Sequence, residues 1–292
     1  MTTEIGIFLP QSGFPAATGA APYAEKIGLD GVWKGDHLDH GVHSTLELAV
    51  AAAVTERVDI GLAVLLPALR PLAWAARELG SLARFAGPRL VAGVGVGGAT
   101  DEWRMAGASP SDRGRATDEF LRALPGLLGG KPTEVAGIGD VTLTPSAPMP
   151  PIWVGGGSAA ALRRTARYGA GWLGAMQSPD QVRETRARLA ELADGEGRPA
   201  PRIAMVIHGS LVAKPAPGLR DRYAGQLAAN YGIDAEAVRD FVVTGTPAEV
   251  SARFAEYADA GVEKLAFVGA PGGDGWYRAA DLLAEIRRSV LS

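Results

Sequence analysis

A (β/α)8 barrel is the fold class that the sequence predicts, and three observations carry it. Short apolar runs of β type alternate with longer helix-periodic segments from one end of the chain to the other. Most of the short runs are apolar throughout rather than alternating, which means burial on both faces. Eight such units within 292 residues also suit a barrel, whose usual length is roughly 250 residues. A doubly wound sheet shares the alternation, because strand order is not written in a sequence.

In order, the expected strands are EIGIFL (4–9), GVWKG (31–35), VDIGLAVL (58–65), RLVAGVG (89–95), IWVGG (152–156), GWLGAM (171–176), RIAMVIHGSLVA (202–213) and KLAFVG (264–269). Helical periodicity covers 17–27, 45–55, 72–85, 112–128, 158–168, 179–194, 219–229, 247–260 and 276–290. Two helix starts are well marked. Ser178 precedes Pro179, and Thr246 precedes Pro247 with Glu249 following, so each places an N-cap before a helix-compatible proline. The Gly/Pro-rich stretch 129–151 is expected to be an excursion or small hairpin within one domain spanning 1–292.

The composition narrows the function. A net charge of −3 with no basic block gives no footprint for nucleic acid or for an anionic membrane. The absence of cysteine rules out disulfides, thiolate metal sites and a cysteine nucleophile. No apolar run is long enough to span a bilayer, and Glu4 precedes a short apolar run without a basic flank, so a cytoplasmic protein without a signal peptide is expected. A general hydrolase fits poorly, since there is no G-x-S-x-G elbow and Ser158 has no visible base.

Three motifs can carry chemistry. LVAGVGVGGATDEW (90–103) places Gly93, Gly95 and Gly98 in the G-x-G-x-x-G dinucleotide spacing. Three βα units precede it, however, and the downstream acids Asp112 and Asp118 sit at a helix start, where no ribose would meet them. The glycines therefore end a buried strand tightly, or leave room beside it for a flat ligand. PIWVGGGSAAALRRTARYGAGW (151–172) runs a strand into Gly155, Gly156, Gly157 and Ser158 and then a helix. That pattern makes either an anion site at a helix N-terminus or a glycine turn capped by Ser158. WKGDHLDHGVH (33–43) holds three of the four histidines, His37, His40 and His43, with Asp36 and Asp39 between them. These residue types suit a metal, but Gly35 and Gly41 leave no reason for the three rings to converge, so no metal is expected.

The pieces GIFLPQ (6–11), AEKIGLDGVWKGDH (24–37), IGLAVLLPALRPLAWAAREL (60–79), RLVAGVGVGGATDEW (89–103), PMPPIWVGGGSAAALRRTARYGAGW (148–172) and VVTGTPAEVSARFAEYADAGV (242–262) together resemble the bacterial luciferase-like superfamily. Its members are flavin- and deazaflavin-dependent oxidoreductases on this barrel. The resemblance implies coenzyme F420 as cofactor, with FMN as the alternative, a small-molecule substrate and a homodimer. It implies a cis peptide at Ala63–Val64 behind the cofactor ring, with Gly95 and Gly97 shaping the adjacent strand end. It assigns the phosphate to Gly155, Gly156, Gly157 and Ser158, completed by Gly174, Ala175 and Met176. His37 becomes the acid or base facing the ring, oriented by Asp36, while Arg70 either meets an anionic tail or lies on the surface. Departures matter too. The glutamate that follows the strand-four glycines in the sugar-phosphate-oxidising deazaflavin branch is matched here to Gly98, so that activity is not expected. Pro71 stands where methylene-tetrahydromethanopterin reductases carry histidine, and the long insertions of true luciferases are missing. Hydride transfer through F420, an FMN-dependent monooxygenase, and a cofactor-free binding protein remain the three readings.

Overall fold

The computed structural model describes residues 3–11, 16–98, 101–269 and 274–290. Its strands are β1 (Glu4–Phe8), β2 (Gly31–Lys34), β3 (Asp59–Leu65), β4 (Leu90–Val94), β5 (Thr133–Val135), β6 (Gly139–Val141), β7 (Ile152–Gly155), β8 (Gly171–Ala175), β9 (Arg202–Leu211), β10 (Val243–Gly245) and β11 (Lys264–Val268). Parallel pairings run β11-β1-β2-β3-β4-β7-β8-β9, and β9 pairs in turn with β11, so eight strands close into a barrel. Closure excludes the doubly wound alternative. The helices are α1 (Ala21–Lys26), α2 (Ser44–Ala53), α3 (Leu72–Ala86), α4 (Glu102–Met105), α5 (Arg113–Leu128), α6 (Ala159–Tyr168), α7 (Pro179–Gly195), α8 (Leu219–Tyr231), α9 (Ala235–Arg239), α10 (Pro247–Asp259) and α11 (Asp274–Val290).

All eight expected barrel strands form. The 129–151 excursion contains the antiparallel hairpin β5–β6, tied to α5 where Glu119 accepts from the Ala136 amide at 3.1 Å and Arg122 donates to the Glu134 carbonyl at 2.7 Å. Three features depart from the expected pattern. α1 is shortened by a π-helical turn at Ala16–Ala20, short helices form at α4 and α9, and β10 adds a ninth strand beside the end of β9. Both marked helix starts form as expected. Ser178 and Gln181 bond reciprocally, and Glu249 accepts from the Thr246 amide and hydroxyl, each at 2.8 Å.

Between barrel and helices lies the main core, including Ile5, Ile60, Leu62, Leu79, Phe120 and Phe267. Inside the barrel, Trp33, Val91, Trp153, Leu173, Ala204 and Ala266 form a second buried cluster. Two indoles fit there because glycines face them: a Cβ on Gly61 would lie 2.1 Å from the Trp33 ring, and one on Gly171 2.3 Å from the Trp153 ring. Below them, toward the amino ends of the strands, the Lys264 ammonium meets Asp59 at 2.5 Å and also Glu4. Burial pushes the Asp59 carboxyl up, against the pull of Lys264. Gly61→Ala should therefore cost about 1–3 kcal/mol by overpacking, and Trp33→Phe in the same chain should return part of it. Denaturant unfolding of the two variants checks this; an unchanged midpoint in Gly61→Ala would contradict the packing.

Candidate active site

Parallel strands place all their carboxyl ends at one face, where barrel enzymes assemble their sites. The carboxyl ends of β2, β3, β4, β7 and β8 and the loops after them, which carry the site residues singled out above, meet at that face. At the end of β3 the Ala63–Val64 peptide is cis, and the pairing with β4 shifts register between Leu62 and Leu65. The displaced Val64 side chain needs the glycines around it. A Cβ on Gly95 would lie 2.5 Å from Val64 Cγ2, and one on Gly155 2.9 Å from Val64 Cγ1. A Cβ on Gly93 would strike the Leu62 carbonyl at 2.1 Å. These absent side chains make room first for the protein's own bulge rather than for a ligand. Gly97 has φ +70° and packs against Leu66 and Trp103.

Asp36 and His37, adjacent in sequence, have different tasks. Asp36 is only 4% exposed. It accepts from Arg70 at 2.6 Å, the Ser44 hydroxyl at 2.9 Å and the Leu66 amide at 3.1 Å, which fastens the loop after the bulge to β2 and α2. Arg70 also donates to Glu78 at 2.7 Å. Burial alone would lower the Arg70 pKa, but its two carboxylate partners raise it. Arg70 is thus neither an exposed surface residue nor available to an anionic tail. The carboxylate beside His37 is not Asp36 but Glu102, whose Oε1 lies 3.2 Å from His37 Nδ1 and accepts from the Leu38 amide at 2.9 Å. With Nδ1 directed at Glu102, Nε2 is turned toward Gly35: a Cβ there would lie 3.1 Å from Nε2 and 3.4 Å from the Ala63 carbonyl. His37 remains accessible, its side chain 37% exposed. Although Gly98 stands at the position matched to a glutamate, the chain still delivers a carboxylate to the mouth from α4.

The histidine motif is tighter than its glycines suggest. The His37 and His40 rings stack at 4.2 Å, and one ligand atom each from His37, Asp39 and His40 lies within 4.8 Å of the others. Burial pushes the Asp39 carboxyl up, yet the bond and charge of His40 carry it below its ordinary value. His43 stands apart and bonds Thr45 at 3.1 Å.

Across the face, Ser158 caps α6 by accepting from the Ala161 amide at 3.2 Å. Gly156 has φ +107°, and its carbonyl accepts from Trp172 Nε1 at 2.8 Å. Gly157 and Ser158 are left exposed at the head of a ten-residue helix, the setting in which backbone amides and the helix dipole favour an anion. At the end of β8, Gly174 is needed by Trp172 and Met205, Ala175 is exposed, and Met176 is the one non-glycine among the described residues with positive φ, +53°. Sequence reasoning missed two further mouth residues. Glu102 is one; the other is His208 near the end of β9, whose burial lowers its pKa to about 4.

The chain matches the description of luciferase-like monooxygenases over residues 3–232. It is 35% identical over 158 residues to an uncharacterized protein of Mycobacterium tuberculosis, a match spanning 52% of this chain and 54% of that one, so it aligns with about half of that relative's length. It is 29% identical to an F420-dependent glucose-6-phosphate dehydrogenase of Kineococcus radiotolerans, over 87% of this chain and 86% of the other. Its fold is also that of an F420-dependent secondary alcohol dehydrogenase solved with an F420–acetone adduct, with a TM-score of 0.82, 20% identity and 99% of each chain covered. With the barrel and the matched residues taken together, the chain belongs to the luciferase-like monooxygenase family.

Proposed function

We propose that this barrel is an oxidoreductase that uses coenzyme F420 to move a hydride to or from a small organic substrate. The observation that carries the reading is the shared face. The apolar Val64 bulge, the His37–Glu102 pair and the exposed head of α6 all stand at the carboxyl ends of the same strands. Those residues fit the cofactor's chemistry: Ala63 and Val64 offer an apolar back to a flat ring, while Gly157, Ser158 and the first turn of α6 would hold its phosphate. When bound, the deazaflavin supplies a ring carbon that gives or takes hydride. The protein supplies the rest. His37 Nε2 is the proton-handling atom, kept in that role by Glu102 on Nδ1. Asp36 keeps the Leu66 amide, and with it the loop behind the ring, in register. The Kineococcus relative supports F420; the family's description as monooxygenases supports FMN and oxygen chemistry as a second reading.

Anaerobic absorbance titration with reduced F420 and reduced FMN, followed by reoxidation with and without oxygen, tests both. Tighter binding of F420, with reoxidation by a substrate rather than by oxygen, is the expected result. A preference for FMN with oxygen-dependent turnover would replace it by the second reading, and binding of neither would make the chain a binding protein. Gly157→Asp tests the anion site. An acidic residue here favours the α6 dipole, and its Cβ meets only the mobile end of Gln177, so the fold should persist. Affinity for the phosphorylated cofactor should fall by about tenfold or more; unchanged affinity would remove the site. Gly156 is less suitable, because any side chain at its φ of +107° is strained.

A further inference from the structure

The loop that leaves β2 brings three metal-ligating side chains together within four residues, 37–40. His37 is stacked on His40, with ring centroids 4.2 Å apart and planes inclined by 28°. Asp39 Oδ1 bonds His40 Nδ1 at 2.5 Å. One ligand atom from each of the three lies within 4.8 Å of the other two. Each ring commits Nδ1 to a carboxylate, His37 to Glu102 at 3.2 Å and His40 to Asp39, while neither Nε2 has a hydrogen bond among the described residues. His43, the third histidine of the motif, takes no part and bonds Thr45 instead.

Two imidazoles and one carboxylate are a donor set for a borderline-soft divalent ion rather than for Mg2+ or Ca2+, which prefer oxygen shells. Zn2+ bound at about 2.0–2.2 Å from nitrogen and oxygen holds tetrahedral donors about 3.3–3.6 Å apart. Drawing the three atoms to that spacing from within 4.8 Å takes little more than about 1 Å of side-chain movement. The His40 and Asp39 side chains, 49% and 38% exposed, have room to make it. Three protein ligands leave a fourth position to water. A carboxylate on the far nitrogen is the usual outer support of a metal-bound imidazole, and Glu102 already stands on Nδ1 of His37.

We infer that His37, Asp39 and His40 form a binding site for a divalent transition metal of the zinc class at the rim of the barrel mouth. The site shares His37 with the proton step proposed above, so an ion held there takes that imidazole out of proton transfer. This follows whichever ring nitrogen the ion takes. On Nε2 it occupies the lone pair that would receive the proton. On Nδ1 it fixes the tautomer with hydrogen on Nε2, which then has no lone pair to accept one. Metal binding itself stands on these side chains alone; only its inhibitory consequence rests on the role proposed for His37.

The test titrates the full-length protein, cleared of metal with a chelator, with ZnCl2 and with MgCl2 by calorimetry. Zn2+ should bind at about one equivalent with a Kd of about 10 μM or below, and Mg2+ at least about a hundredfold more weakly. Asp39→Ala and His40→Ala should each weaken Zn2+ by about tenfold or more, since losing an outer-shell partner alone costs about 10–100-fold. His43→Ala should stay within about twofold of wild type. All three positions are exposed, so the variants should fold. Imidazole 15N–1H NMR reads the ligands directly: one equivalent of Zn2+ should move the ring signals of His37 and His40 and leave those of His43 in place. No Zn2+ binding at about 1 mM, equal affinity in wild type and both ligand variants, a match between Mg2+ and Zn2+, or unmoved His37 signals overturns the inference. None of these outcomes bears on cofactor binding, which the titration with reduced F420 and FMN tests separately.

Discussion

Replacing His37 by alanine is expected to lower kcat by about two to four orders of magnitude, the usual contribution of a positioned general acid or base. The cofactor Kd should change by no more than about threefold, since the 37% exposed imidazole supplies no buried packing to lose. Glu102→Gln refines the experiment. An amide oxygen can still accept from Nδ1 at the 3.2 Å contact, but it no longer stabilises a positive ring. That variant should retain binding and lose part of kcat, because the positive ring formed when His37 takes up a proton loses its counter-charge. Stopped-flow measurement of cofactor oxidation and reduction separates the two effects. Intact turnover in His37→Ala, or a collapse of cofactor affinity with normal turnover of the bound enzyme, would take the proton-handling role from this residue.

Asp36→Ala should be the most damaging single change to stability in the site. It removes an acceptor shared by a guanidinium, a hydroxyl and a backbone amide in one buried position. Breaking a buried ion pair by deleting one partner costs about 3–5 kcal/mol, and the lower end applies because Arg70 keeps Glu78. Asp36→Asn, which retains an oxygen for Leu66 and Ser44, should lose less. Denaturant unfolding of both variants reads the difference, and cofactor affinity should fall alongside it because the Leu66 amide anchors the chain that follows the bulge. A loss below about 1 kcal/mol in the alanine variant would mean that the loop is secured elsewhere.

These two residues show what sequence can and cannot convey. Apolar runs and capping patterns are local, and they marked every barrel strand and the starts of α7 and α10. The cis peptide entered through family likeness, and the structure places it at Ala63–Val64. The division of labour between Asp36 and Glu102 was invisible because Glu102 lies 65 positions beyond its histidine partner, and only barrel closure brings them together. Asp36 read as a partner for its neighbour, yet in the loop after β2 the two side chains meet different surroundings, Asp36 the Leu66 amide and Arg70, His37 the Glu102 carboxylate. His208 hid inside a continuous apolar run, where nothing local says which residues face inward. The glycine requirement of Val64 is likewise a tertiary fact: three strands contribute to one contact. β10 has three residues, too few for a pattern to register.

Trp33 and Trp153 stop the barrel from below with almost no exposed surface, and that plug governs traffic. In the proposed reaction a cofactor and its co-substrate would therefore both enter from the carboxyl-end face and share a cul-de-sac. Whichever docks deeper has to arrive first and depart last, and a bulky compound lodged at the rim should slow the escape of the molecule behind it.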